Sequence, residues 1–229
     1  SIPIFLNLNE RAKPQKLPPG ENIFSVAFKQ LRETIKAARG FSEFLKFMLA
    51  YLVYNEGVII ALDFAAILGA VLFGLEQTGL IIFFILVQAT NVVGALLFGN
   101  MQDRYGGKRS LTISILLMVA CVMALYFAQN QTHFFIIGGF VGIAMAGVQS
   151  VSRAMVATFA PKGKSGEFFG FFSVAGKFAA ILGPIVYGEV TAWTGSQRWA
   201  VLSMALFFLV GLAVFLGVDE RRGMAAAQE

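Results

Sequence analysis

The run from Gln77 to Asn100, QTGLIIFFILVQATNVVGALLFGN, contains no Asp, Glu, Lys or Arg. A bilayer core about 30 Å thick is crossed by roughly 20 helical residues, so this run is long enough and apolar enough to form a transmembrane helix. Polar and apolar residues do not alternate along it, as they would in a strand of a membrane β-barrel. The run therefore predicts an α-helical membrane protein.

Five further apolar runs bring the prediction to six spans. Hydrophobic residues make up 57% of the chain and charged residues 14%, and the mean hydropathy is +0.73, whereas soluble domains carry about a quarter charged residues. We place the spans at residues 41–72, 77–100, 110–128, 132–159, 166–190 and 197–218. These spans form a bundle over 41–218, and residues 219–229 form a tail.

The region before the bundle, residues 1–40, is predicted to hold the end of a preceding helix and a cytoplasmic linker. The linker contains an amphipathic segment that either lies on the membrane surface or packs on the rest of the protein.

The Lys and Arg residues set the predicted orientation. They cluster before the first span, between the second and third, between the fourth and fifth, and after the sixth, which makes these regions cytoplasmic. Of the 18 Lys and Arg residues, 16 lie in or beside these regions, Arg198 lies on the opposite side, and Lys177 lies near the middle of the fifth span. Both ends of the chain are therefore expected in the cytoplasm, and a bacterial inner membrane is the expected location.

Other classes of protein fit the sequence poorly. The net charge of +5 does not indicate a nucleic-acid-binding protein, because the basic residues form short clusters between apolar runs rather than one soluble face. The single cysteine, Cys121, and single histidine, His133, allow neither an intramolecular disulfide nor a multi-histidine metal site. We expect no cofactor, no nucleic-acid partner and no enzymatic activity.

The segment between the second and third spans reads GNMQDRYGGKR from Gly99 to Arg109. Gly99 allows helices to approach closely, and Gly106 allows a tight turn with positive φ. Asp103 is placed to accept hydrogen bonds from the N-terminus of the fifth span, where partial positive charge collects, with Arg153 close enough to bridge to it. The predicted cytoplasmic gate comprises Gly99, Asp103, Arg104, Gly106, Lys108, Arg109, Arg153 and Glu167.

This segment resembles the major facilitator signature, Gly-x-x-x-Asp-Arg-x-Gly-x-Lys/Arg-Lys/Arg. Three other stretches, LAYLVYNEGV (49–58), GVQSVSR (147–153) and PKGKSGEFFGFF (161–172), are similar to the vacuolar amino-acid effluxer-like family of major facilitators. The likeness continues into Gly176-Lys177 and Gly183-Pro184. Glu56 departs from the family pattern, which has Asp more often, but keeps the acid.

The resemblance implies the C-terminal half of a transporter. That half consists of six helices in two inverted three-helix repeats, and its cavity is completed by an N-terminal half or by a second copy of this chain. The lipid bilayer and a small-molecule substrate are its other expected partners.

Polar side chains inside the spans mark a candidate pathway, because a charge near the bilayer centre costs at least a few kcal/mol. The predicted substrate or proton pathway consists of Glu56, Asp63, Gln88, Asn91, Gln149 and Lys177. These residues lie on the first, second, fourth and fifth spans, which the resemblance implies are the cavity-lining helices. We further predict an ion pair between Glu56 and Lys177, which helical rise places within about one turn in depth.

Small residues along the fourth span (Gly138, Gly142, Ala146 and Gly147) predict close helix packing, and Pro184 predicts a kink in the fifth. The sequence favours a secondary transporter for a small polar solute, with amino acids or related metabolites as candidates, working by alternating access with proton coupling. The alternative is a non-transporting membrane sensor or assembly module that keeps the fold.

Overall fold

The computed structural model describes residues 41–178 and 181–228, and the predicted linker at 1–40 lies outside them. The described residues form helices and no strand, as predicted. The helices are α1 (Ser42–Phe73), α2 (Gln77–Tyr105), α3 (Gly107–Phe127), α4 (Gln131–Phe159), α5 (Ser165–Phe178), α6 (Leu182–Thr194), α7 (Gln197–Leu216) and α8 (Glu220–Ala226). Six segments are long and apolar enough to cross a membrane, the fifth being formed by α5 and α6 together.

The helix contacts repeat with the symmetry of two inverted halves. Helix α1 packs along α7, as α4 packs along α3, and α2 packs on α4, as α5 and α6 pack on α1. Helices α3 and α7 contact each other. If spans one to three are exchanged with spans four to six, the same pairs of spans are in contact, as an inverted repeat requires. The predicted fold class is confirmed.

The closest helix crossing joins α2 and α4. A Cβ atom on Gly94 of α2 would lie 2.5 Å from the carbonyl oxygen of Ile143, and one on Gly142 of α4 would lie 2.5 Å from that of Val87. The two backbones therefore touch at positions where only glycine fits, which confirms the close packing predicted from the small residues of the fourth span.

The segment from Gly99 to Arg109 is almost wholly helical. Helix α2 runs to Tyr105 and α3 begins at Gly107, so the turn between them is essentially Gly106, whose φ is +88° as predicted. The close approach predicted at Gly99 is wrong, because no atom of the described chain lies within 4 Å of a Cβ built there.

The fifth span is described as two helices, which lie on either side of residues 179 and 180, outside the described part of the chain. Helix α5 is described to Phe178, and α6 begins at Leu182 with Ile181 as its N-cap residue. Pro184 is the third residue of α6, and proline is tolerated in a first turn because its missing N–H would have no partner within the helix. The kink predicted at Pro184 stays a prediction.

The α2–α4 crossing gives a test with a matched control on one helix. We expect Gly142→Ala to lower the free energy of unfolding by about 1–3 kcal/mol, the usual cost of overpacking. Gly139→Ala should be neutral or slightly stabilising, because its Cβ would meet only Thr90 Cγ2 at an ordinary 3.8 Å. Equilibrium unfolding in detergent would measure both. Equal effects of the two substitutions would contradict the close crossing.

Candidate functional site

The predicted pathway residues differ in burial. Asp63, Gln88 and Lys177 are exposed on the surface of the bundle, Asn91 and Gln149 are half-buried, and Glu56 is only 3% exposed. A polar face on α1, α2, α4 and α5 was predicted to include Glu56. The structure instead places Glu56 in the interior, between α1 and α6.

Both carboxylate oxygens of Glu56 accept hydrogen bonds from the start of α6. Oε2 lies 2.6 Å from the backbone nitrogen of Gly183, and Oε1 lies 3.3 Å from that of Leu182. The first N–H groups of a helix have no partner within it, and Ile181 supplies no side-chain cap. Glu56 on the first span therefore caps the second piece of the fifth.

Gly183 makes this contact possible. A Cβ atom there would lie 2.7 Å from Glu56 Oε2 and 2.8 Å from Ile60 Cγ1, so a larger residue would push the carboxylate away from the α6 backbone. The partial positive charge of a helix N-terminus also favours an anion at this place. The sequence showed both partners of this contact, the intramembrane acid Glu56 and the pair Gly183-Pro184. Their spacing along the chain could not show that they lie together.

The predicted ion pair between Glu56 and Lys177 is not formed. Lys177 is exposed near the end of α5, and no ion pair links it to any acid within residues 41–178 and 181–228. Backbone donors of α6, rather than the lysine, contact Glu56.

Tyr51 packs on α5, and sequence analysis missed it. Its ring packs on Phe172 with centroids 4.3 Å apart, and its hydroxyl lies 2.9 Å from a Cβ built on Gly176. Arg153 on α4 is an exposed cation within electrostatic range of Tyr51, and the exposed Lys177 follows Gly176 in the chain. We call these three residues, Tyr51, Arg153 and Lys177, the Tyr51 cluster.

A second capping contact lies at the end of the bundle where α1 and α3 begin and α7 ends, here called the basic end. Glu220 Oε1 accepts from the N–H of Gly107 at 2.8 Å, and Oε2 accepts from that of Lys108 at 2.9 Å. The Lys108 ammonium in turn donates to the carbonyl oxygens of Leu216 at 2.8 Å and Val218 at 2.5 Å. The predicted gate residues Gly106 and Lys108 are thus joined to the chain that follows α7.

The residues after α7, predicted as a simple tail, are tied to α1 as well. The N–H of Asp219 donates to Glu43 Oε2 at 2.7 Å, and Glu43 Oε1 pairs with Lys46 at 2.8 Å. Asp219 itself caps α8, and the N–H of Arg222 lowers the pKa of its carboxyl below the ordinary range. These contacts link the starts of α1 and α3 through one short segment.

Asp103 does not cap the fifth span as predicted. It is exposed and forms no hydrogen bond or ion pair within the described residues, and the anion at a neighbouring helix start is Glu220. Arg104, Arg109 and Arg153 are exposed, and Glu167 lies in the first turn of α5. The gate prediction was right about the turn at Gly106. It did not identify Glu220 as the acid that caps the neighbouring helix, because Glu220 follows the last span and lies far in sequence from the segment between Gly99 and Arg109.

The six apolar spans and their inverted contact pattern define half of a major facilitator-type fold. A family model described as "Vacuole effluxer Atg22 like" matches residues 1–228. The chain belongs to this family, and it is an integral, multi-pass membrane protein.

Individual relatives agree with the family match. An uncharacterized MFS-type transporter, YxiO of Bacillus subtilis, is 30% identical over 230 residues, covering 100% of this chain and 53% of the relative. Autophagy-related protein 22 of Kluyveromyces lactis is 25% identical, covering 91% of this chain and 44% of the relative, and that of Saccharomyces cerevisiae S288c is 22% identical, covering 100% and 47%. The chain spans about half the length of the curated relatives it matches.

The contact of Glu220 at the basic end can be tested by substitution. Glu220→Ala should lower the free energy of unfolding by about 1–3 kcal/mol, because two N–H groups at the start of α3 lose a charged acceptor. Arg221→Ala is the matched control, since Arg221 is the next residue and is exposed. Equilibrium unfolding in detergent would compare them, and a Glu220→Ala variant as stable as Arg221→Ala would show that the cap contributes nothing.

Proposed function

We propose that this chain forms one half of a secondary transporter that moves a small polar solute across the membrane by alternating access, coupled to protons. The observation that carries the proposal is the set of polar side chains left exposed on apolar spans: Asp63, Gln88 and Lys177. Charged side chains at membrane depth almost always face a bundle interior or a water-filled cavity. Family membership supports a transporter role.

The exposed polar side chains support a cavity that this chain completes only with a partner. Its relatives are about twice as long, which favours a second six-helix half in the same protein. A second copy of this chain would serve the same purpose. In the proposed cycle, the two halves rock against each other and open the cavity to one side at a time.

The Tyr51 cluster supports a solute with an anionic group. Arg153 and Lys177 are the exposed cations of this cluster, and charge-assisted hydrogen bonds to carboxylates are the strong ones. The amides of Gln88 and Gln149 offer both donors and acceptors. Amino acids or related metabolites, which carry a carboxylate and further polar groups, fit this combination.

Proton coupling rests on Glu56. Its carboxyl group is buried, and in the described chain it has no cation to balance it. An intramembrane acid of this kind is a candidate proton relay. Proton uptake would change the net charge of the half without any side chain crossing the bilayer.

A non-transporting sensor or assembly module is the second candidate. It is favoured by the fact that Glu56 already has two backbone donors, because a permanently satisfied cap needs no transport role.

Solute uptake into proteoliposomes containing the full-length protein would separate the two functions. We expect a pH gradient to drive accumulation of at least one carboxylate-bearing solute. We also expect Lys177→Gln to reduce uptake about 10- to 100-fold, the loss for one charge-assisted hydrogen bond. Lys162→Gln, in the exposed turn before α5, should leave uptake unchanged. Absence of flux across a broad panel of solutes would favour the sensor.

A further inference from the structure

Glu56 differs from the other buried acid in what balances its charge. Within residues 41–178 and 181–228, only Glu43 and Glu56 among the carboxyl groups are buried, at 6% and 3% exposure. Glu43 forms an ion pair with Lys46 at 2.8 Å. Among these described residues, the partners of Glu56 are the N–H groups of Leu182 and Gly183 and no cation, so this contact depends on the carboxyl group.

The protonation state of Glu56 decides whether both hydrogen bonds to α6 can form. A carboxylate accepts at both oxygens, whereas a carboxylic acid has one carbonyl oxygen and one O–H donor. When water delivers a proton, one O–H bond forms, and that O–H then faces a backbone N–H, donor against donor. One of the two hydrogen bonds to α6 is lost, and the charge that favoured the helix N-terminus disappears.

The neighbouring hydroxyl groups do not share a proton with Glu56, because they bond to other partners. Tyr54 on the same helix bonds to Ser152 of α4 at 2.7 Å, and Tyr187 of α6 bonds to Gln197 of α7 at 2.5 Å. Next to Glu56, Gly57 meets the apolar ring of Phe208 on α7.

The remaining charged or titratable groups on elements packed against α1 are exposed or lie toward helix ends, except Tyr51, which is half-buried. On α1 they are Glu43, Lys46, Tyr51 and Asp63. On the other elements they are Glu76 (before α2), Asp103, Arg104 and Tyr105 (α2), His133 and Arg153 (α4), Glu167 and Lys177 (α5), Glu189 (α6), Arg198 (α7), and Asp219, Glu220, Arg221 and Arg222 (around α8). None of them forms a hydrogen bond or ion pair with Glu56 in the described residues.

The far part of α6 is fixed independently of Glu56. Tyr187 stacks on Phe64 of α1 with ring centroids 4.0 Å apart, and its hydroxyl bonds to Gln197. Loss of the Glu56 contact would therefore free the first turn of α6, Leu182 to Pro184, while Tyr187 holds the rest of the helix in place.

We propose that Glu56 is a proton-operated latch on α6, the second helix described in the fifth span. As a carboxylate it holds the first turn of α6 against α1, and as a carboxylic acid it releases that turn. The latch deepens the proposed transport function, on which its role in coupling rests, because it links proton uptake to the movement of a cavity-lining helix. Release itself is a local event that needs no solute.

Hydrogen–deuterium exchange of the full-length protein in lipid nanodiscs tests the latch directly. The readout is exchange in peptides covering residues 181–194, corrected for intrinsic rates, over about pH 4 to about pH 9, which covers free and deeply buried carboxyl groups. In the wild type, corrected exchange should rise about five- to tenfold as the pH falls, as expected for the loss of one hydrogen bond. Glu56→Gln should exchange at the high level at every pH.

Asp63→Asn is the matched control, because Asp63 lies two turns along α1 and is exposed. It should titrate like the wild type. Wild-type exchange that stays flat over the whole range would overturn the latch and leave a permanent cap, and so would a Glu56→Gln variant as protected as the wild type at high pH.

A second measurement covers the case in which Glu56→Gln does not fold. Infrared difference spectra of the wild type and Asp63→Asn should show a protonated carboxyl C=O band that appears over the same pH range as the rise in exchange. A rise in exchange without such a band would refute the latch. Uptake assays report separately on the proposed function. A titrating latch without solute flux would contradict transport alone, and proton-driven flux with flat exchange would contradict the latch alone.

Discussion

A backbone N–H group at membrane depth has no water to bond to, and leaving it unpaired costs several kcal/mol. At Leu182 and Gly183, at the start of α6, Glu56 supplies the acceptors with one carboxylate. The residue types follow from the contact. Residue 183 is glycine because a Cβ would displace the carboxylate, and Pro184 is tolerated because it has no N–H to satisfy. The position of the first turn of α6 against α1 depends on this contact.

The same chemistry recurs at the basic end with a different consequence. Glu220 caps α3 as Glu56 caps α6, but there Lys108 and the Glu43–Asp219 contact add further ties among α1, α3 and the segment after α7. The basic end is therefore cross-linked by several polar contacts, whereas the start of α6 is held by one carboxyl group. Movement within the half is expected at the start of α6 rather than at the basic end.

The fold could be predicted from sequence because it depends on local patterns. Apolar runs gave the six spans, and the small residues of the fourth span gave the α2–α4 crossing. The polar contacts could not be predicted in the same way, because they join residues distant in sequence. Spacing placed Glu56 and Lys177 at similar depths but could not show that α6 would present its backbone to Glu56. For the same reason Asp103 was assigned a capping role, while Glu220, more than 100 residues further on, performs one at the neighbouring turn.

The exposed polar side chains are proposed to face an aqueous cavity rather than lipid. Labelling with a membrane-impermeant thiol reagent tests this, using single cysteines in a cysteine-free background of the full-length protein in which Cys121 is also replaced. Cysteines at Asp63, Gln88 and Lys177 should react, whereas a cysteine at Leu96, an apolar residue 67% exposed on α2, should not. Labelling of Leu96→Cys alone, or no labelling at any of the three polar positions, would contradict a cavity at these side chains.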